Sequence, residues 1–357
     1  MVGAGQVVQW LRGAVPGMRL SRIKTLGSLV AAAMKMRGVG VLALGRSMEG
    51  PVAAKHRIKR AWRFLRNEGV EQLEVSRGIF AQCAPRQGSI VVLCDWTDLT
   101  PFQQLVFSLP RDGRSMPFLS VTISKMAGEG AMRSSEGKAL ALLAQIVPQG
   151  RRVIVVADRG FGNGRWLSHV KTWGWSYVQR IAGNLTVSMQ DYDGAVEAMP
   201  IVRGAACRDW GATTLTKERG LRVRCISVWA SDAREPWVLA TDLQDMPAAE
   251  VIRLYKRRMW IEATFRDLKN RTWGLSLDAT RLSEAKRHDR LFLVVALAYA
   301  LLSAFGAIAE HTKLANTLKA NTVDYRVMSL ARIGNYCIGL ASWTIHQALT
   351  ALGRLPS

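Results

Sequence analysis

Apolar and polar positions alternate in a way that divides the chain into recognisable elements. Ser21 to Met36 carries apolar residues at helical spacing, and Gly38 and Gly40 then interrupt it, which predicts a helix that stops there. A second helix is predicted from about Pro51, a good first helical residue, to Arg66. Ser89 to Asp95 (SIVVLCD) is a short apolar, β-rich run ending on a carboxylate, and Arg151 to Asp158 (RRVIVVAD) is another. Phe102 to Leu109 and Phe118 to Ser124 flank PRDGRSMP, which reads as a hairpin turn region. Helical spacing returns at Gly137 to Val147 and near Trp166 to Trp173, followed by a strand at Trp175 to Ile181. Hairpins leading into a βαβ unit imply a mixed sheet in an α/β fold. Residues 182–246 show short strand-like runs, among them Leu221 to Trp229 and Trp237 to Thr241, between Gly- and Asp-rich turns. This reads as a β-rich insertion. From Pro247 onward the pattern is helical.

One stretch has no polar face. Leu291 to Ala309 is long enough to cross a bilayer, with only Ser303 and Gly306 as weak interruptions. A central helix buried on all sides of a large domain has the same composition. Its alanines favour that reading, because they let neighbouring elements approach closely. Met1 to Leu20 lacks the continuous apolar run of a signal peptide.

Composition narrows the partner. Lys and Arg number 49 against 27 Asp and Glu in 357 residues, a formal net charge of +22. An apolar content of 49% sets the chain apart from disordered sequences. Cys83, Cys94, Cys207, Cys225 and Cys337 form no C-x-x-C pair, so neither a disulfide scaffold nor a zinc ribbon is supported and a reducing cytoplasm fits. Such a charge on a folded chain implies a polyanion, nucleic acid before an anionic membrane. Residues 1–88 hold 15 of the cations and four acids. On the second predicted helix Lys55, Lys59, Arg63 and Arg66 fall within about 80° of one another at 100° per residue. That face has no interleaved Glu, which favours phosphate contacts over a merely solvated surface.

Candidate chemistry rests on carboxylates. Asp95 and Asp158 each close an apolar strand, where α/β proteins place ligands; a turn aspartate is the plain alternative. The predicted helix Ala248 to Lys269 places Tyr255, Arg258, Glu262 and Lys269 on a stripe about 60° wide beside its apolar face. An i,i+4 pair between Arg258 and Glu262 would stabilise a helix by itself, but it leaves Tyr255 and Lys269 unexplained. Three carboxylates with adjacent cations suit divalent-metal chemistry on a phosphate.

The segment Tyr255-Lys-Arg-Arg258-Met-Trp-Ile-Glu262-Ala-Thr-Phe-Arg-Asp-Leu-Lys269 resembles the Tyr-x2-Arg-x3-Glu-x6-Lys signature of one group of DDE transposases of bacterial insertion sequences. Asp95 in DWTDL and Asp158 in ADRGF resemble that family's first two metal-binding aspartates. Residues 55–67 (KHRIKRAWRFLRN) resemble its N-terminal basic segment. The resemblance implies a ribonuclease H-like mixed-sheet catalytic core, residues 89–290, with a β-rich insertion at about 182–246. An N-terminal helical DNA-binding domain, 1–88, would precede it. A helical C-terminal region, 291–357, compatible with dimerisation, would follow. It implies Asp95, Asp158 and Glu262 as ligands of two Mg²⁺ or Mn²⁺ ions, with Tyr255, Arg258 and Lys269 on DNA phosphates near the cut. Double-stranded DNA, as terminal inverted repeats and target, would be the partner of a homodimer in the bacterial cytoplasm, associated with the nucleoid and not with a membrane. Hydrolysis at the element ends would be followed by attack of the freed 3′-hydroxyl, in some members through a hairpin intermediate. Related enzymes stack a flipped base on a Trp at the end of the insertion. Trp237 occupies a similar place, a few residues nearer the tyrosine than in the pattern, and a core Trp on a strand is its other reading. Competing readings are a catalytically silent DNA-binding descendant, a ribonuclease H-like nuclease, and a single-span membrane protein.

Overall fold

Apolar runs at both ends of the chain and through its middle collapse onto one hydrophobic core in the computed structural model, which describes residues 2–161, 164–215 and 220–355. Five helices come first: α1 (Ala4–Ala14), α2 (Leu20–Ala33), α3 (Val41–Ser47), α4 (Ala54–Arg66) and α5 (Gln72–Cys83). Three strands follow, β1 (Ile90–Leu99), β2 (Phe102–Arg111) and β3 (Arg114–Ser124). Then come α6 (Gly128–Ile146), β4 (Val153–Ala157), α7 (Gly164–Thr172) and β5 (Ser176–Arg180). Five strands make up the predicted insertion: β6 (Thr186–Met189), β7 (Tyr192–Ala195), β8 (Arg208–Leu215), β9 (Leu221–Val228) and β10 (Trp237–Thr241). The chain ends with α8 (Ala248–Lys256), α9 (Met259–Lys269), α10 (Ala285–His311), α11 (Leu330–Cys337) and α12 (Ile345–Gly353).

The strands form one mixed sheet in the order β3-β2-β1-β4-β5-β10-β9-β8-β6-β7. β1, β4 and β5 run parallel, as apolar runs linked by helices do. The β-rich segment is no separate sheet. β10 pairs antiparallel with β5 and carries the remaining strands outward. The predicted turn region PRDGRSMP is mostly strand: β2 and β3 run through it and leave only Asp112 and Gly113 at the tip. Both have positive φ (45° and 78°), the geometry of a two-residue type I′ turn, for which Asp-Gly is suited.

The long apolar segment lies in α10, whose most apolar stretch is wholly buried inside the molecule. It packs on β3, α2, α5, α11 and α12. Two glycines set the α10–α11 distance. A Cβ on Gly306 would run into the carbonyl of Leu330, and one on Gly334 into that of Leu302. The polar start of α10 is also tied down. Arg290 donates to the Leu65 carbonyl at the end of α4 (2.8 Å), and Arg287 stacks 4.6 Å from the Trp62 ring. The basic N-terminal helices are thereby fixed to the same core as the sheet.

Candidate active site

Strand register brings the first two carboxylates together. Leu93 of β1 lies opposite Val156 of the parallel β4. Two positions further on, the same register aligns Asp95 with Asp158, just beyond the end of β4. Asp95 itself is not the last residue of its strand as the sequence suggests; β1 continues to Leu99, hydrogen-bonded to β2. It stands where β1 outruns β4, so the carboxylate is at a sheet edge on one side only. Its Oδ1 accepts from the Trp96 amide at 2.9 Å, and Asp158 Oδ1 accepts from the Gly160 amide at 2.8 Å.

The third group arrives on α9, which is pinned to the hairpin. Thr264 Oγ1 accepts from the Ser115 amide at 2.8 Å and donates to its carbonyl at 3.1 Å. Asp267 accepts from Arg114 Nε (2.9 Å) and Tyr299 Oη (2.8 Å). The single helix expected from Ala248 to Lys269 is interrupted. Amides of Arg257, Arg258, Trp260 and Ile261 bond three residues back rather than four, a tightened turn that re-aims the chain. The Tyr255 phenol nevertheless still feels the charges of Arg258, Asp158 and Glu262. Tyr255 ends up buried on α8, its ring edge-on to Trp237 with centroids 4.9 Å apart. Burial pushes the Tyr255 phenol up to about 12. Arg258, Glu262 and Lys269 stay on or beside α9 and line one cleft with Asp95.

Arg258 joins the carboxylates. Its Nη2 lies 3.1 Å from Asp95 Oδ2 and 3.4 Å from Asp158 Oδ2, while Nη1 donates to Glu262 Oε1. Groups from three segments thus converge on one guanidinium whose side chain is only 11% exposed. Burial opposes its charge, but Asp95, Asp158 and Glu262 outweigh burial and hold Arg258 above its ordinary value. Burial pushes Asp95 up to about 7; Arg258 opposes this, and the charges of Asp158 and Glu262 add to it. Among the described residues no three carboxylate, imidazole or thiol groups stand ready-grouped around one point as metal ligands. The donor set nevertheless fits a hard divalent cation, since it offers carboxylate oxygens only and one cation faces three anions.

The cleft encloses about 770 Å³. Trp96, Arg114, Arg266 and Trp273 line it beside the expected residues. Trp96 could have been suspected as the neighbour of Asp95; Arg114 could not, because only the hairpin register brings it to α9. Lys269 sits at the far end of α9, its ammonium held below the ordinary range by burial against the pull of Asp98 and Asp278. Lys55, Lys59, Arg63 and Arg66 are exposed along one side of α4 and line no part of this cleft. Trp237 packs on the Tyr255 ring and is not among the described residues that line the cleft.

A family model of the transposase DDE domain matches residues 118–301, just over half of the chain. The span begins in β3, after Asp95, and contains Asp158 and Glu262. No curated protein matches. The matched span covers the strands and helices that carry the second and third carboxylates, and the chain belongs to the DDE transposase family, a transposase whose work is DNA transposition and recombination and whose partner is DNA.

Proposed function

We propose that the chain is a cut-and-paste transposase with a ribonuclease H-like core, hydrolysing DNA at its element's ends and joining the freed 3′-hydroxyls to target DNA. The observation that carries this reading is the convergence of Asp95, Asp158 and Glu262 on Arg258. The strand order β3-β2-β1-β4-β5, with a helix carrying the third carboxylate packed across it, supports the core assignment.

Asp95, Asp158 and Glu262 would hold Mg²⁺ or Mn²⁺, two ions in the full site. Such ions would polarise the phosphate and stabilise both the attacking and the leaving oxygen. Arg258 balances part of the carboxylate charge and is within reach of a bound phosphate, which a guanidinium grips through two parallel hydrogen bonds. Lys269 supplies a second cation along the cleft. Tyr255, its ring packed on Trp237 and its phenol in the field of Arg258, Asp158 and Glu262, would contact a DNA phosphate near the cut. The exposed cations of α4 bind the inverted-repeat DNA, within the N-terminal helical region 1–88. A synapse holds two ends, which calls for a homodimer, and the helices after residue 290 are the candidate contact. A soluble chain of this kind acts on the nucleoid in the cytoplasm.

The test is incubation of purified protein with Mg²⁺ and DNA carrying the short inverted repeats that flank its reading frame. Nicks leaving 3′-hydroxyls at the repeat ends are expected. Retained binding without cleavage would leave only a DNA-binding descendant.

A further inference from the structure

The face of the sheet opposite α9 carries a second cationic channel. β1, β3 and β4 run in the same direction. β3 leads into α6 and β4 into α7, so both helices begin at the edge bearing Asp95 and Asp158 and run back from it. Side chains alternate along β1, so the Trp96 indole lies across the strand from the Asp95 carboxylate although the residue also borders the cleft, and its Nε1 donates to Glu136 of α6 at 3.3 Å. This places α6 on the far face, and α7 packs beside it. Between the two helices lies a groove of about 520 Å³ lined by Arg133, Ser134, Lys138, Arg165, His169 and Trp173. Arg165 is the second residue of α7 and Arg133 lies in the first third of α6, both on the half nearer the catalytic edge; Trp173, just past the end of α7, is 44% exposed. Gly137 lets the walls approach, because a Cβ there would meet the His169 ring at 3.3 Å. Among the described residues no acid lines the groove. Glu129, one turn before Arg133 on α6, pairs with it at 3.6 Å, the side chains 87% and 47% exposed, and a surface pair of this kind contributes little.

We infer that the α6–α7 groove is a docking track for the backbone of target DNA, separate from the α4 face that holds the element end. The inference rests on the transposase reading. Strand transfer needs two duplexes at one catalytic edge, and this groove opens at that edge from the side that α9 leaves free. Its Lys and Arg groups contact phosphates without reading bases, which suits DNA of arbitrary sequence, and an exposed indole suits the apolar faces of sugars.

The test uses the full chain without metal, and fluorescence anisotropy with a labelled duplex of unrelated sequence. The triple variant Arg133→Ala, Lys138→Ala, Arg165→Ala should bind at least about tenfold more weakly, with a log–log salt slope flatter by about 3, close to 0.9 per lost phosphate contact. A duplex bearing the terminal repeats should still bind within a few-fold of wild type. Lys138→Glu alone, at an exposed position, should weaken binding to the unrelated duplex in the same direction. Unchanged affinity and slope in both variants would overturn the groove. Equal losses on both duplexes would overturn its assignment to the target. If the wild-type chain bound neither duplex, the transposase reading itself would fail.

Discussion

Arg258 is the residue on which the site balances. It satisfies three carboxylates at once, and its removal would leave the buried Asp95 without its cation, a loss that for a buried pair costs about 3–5 kcal/mol. Arg258→Ala should melt several degrees below wild type in EDTA, and Mg²⁺ should restore more of that loss than it adds to wild type. Thermal melts with and without the ion check this; equal shifts in both proteins would mean that the carboxylates do not share a cation. A different carboxylate reports on pH. Burial pushes Asp289 on α10 up to about 6 from 3.8, opposed by hydrogen bonds from Thr122 and Ser120. A raised carboxyl favours the fold fully below its ordinary value, and this contribution fades as pH rises through the folded value. The gap in melting temperature between wild type and Asp289→Asn should therefore shift in favour of the variant between about pH 4 and 7. A gap independent of pH would contradict the raised carboxyl.

Elements decide how these residues meet. The close crossing of α10 and α11 at Gly306 and Gly334 admits no side chain. Gly334→Ala should cost about 1–3 kcal/mol through overpacking, measured by urea unfolding; a neutral effect would show that the helices can separate. Much of this level was legible in advance. The apolar runs at β1 and β4 announce buried strands, because parallel strands covered on both faces lose their alternation. The all-positive stripe Lys55, Lys59, Arg63, Arg66 is exposed as helical periodicity requires. What stayed hidden was non-local. Nothing near Arg114 indicates that it meets Asp267, 153 residues away. The tightened turn at Arg257 and Arg258 has no Gly or Pro to announce it, so a wheel drawn at constant pitch misses the break between α8 and α9. Hydropathy could not separate lipid from protein around α10, since Leu and Ala suit both; only its contacts do so.

Across the whole molecule, we propose that the charge of +22 serves three surfaces: the α4 face, the cleft around Glu262, and the α6–α7 groove. Lys59→Ala with Arg63→Ala should weaken binding to terminal-repeat DNA and flatten its salt slope by about 2, with the melting temperature unchanged. An unaltered slope would remove α4 from the interface. The central claim is that Asp95, Asp158 and Glu262 form one metal-dependent cutting centre. Its most direct test is cleavage of terminal-repeat DNA by wild type and by Glu262→Gln, side by side in Mg²⁺, with binding of the same DNA measured in parallel. Wild-type cleavage, with loss of cutting but retained binding in the variant, is the predicted result. Undiminished cutting by Glu262→Gln would contradict it.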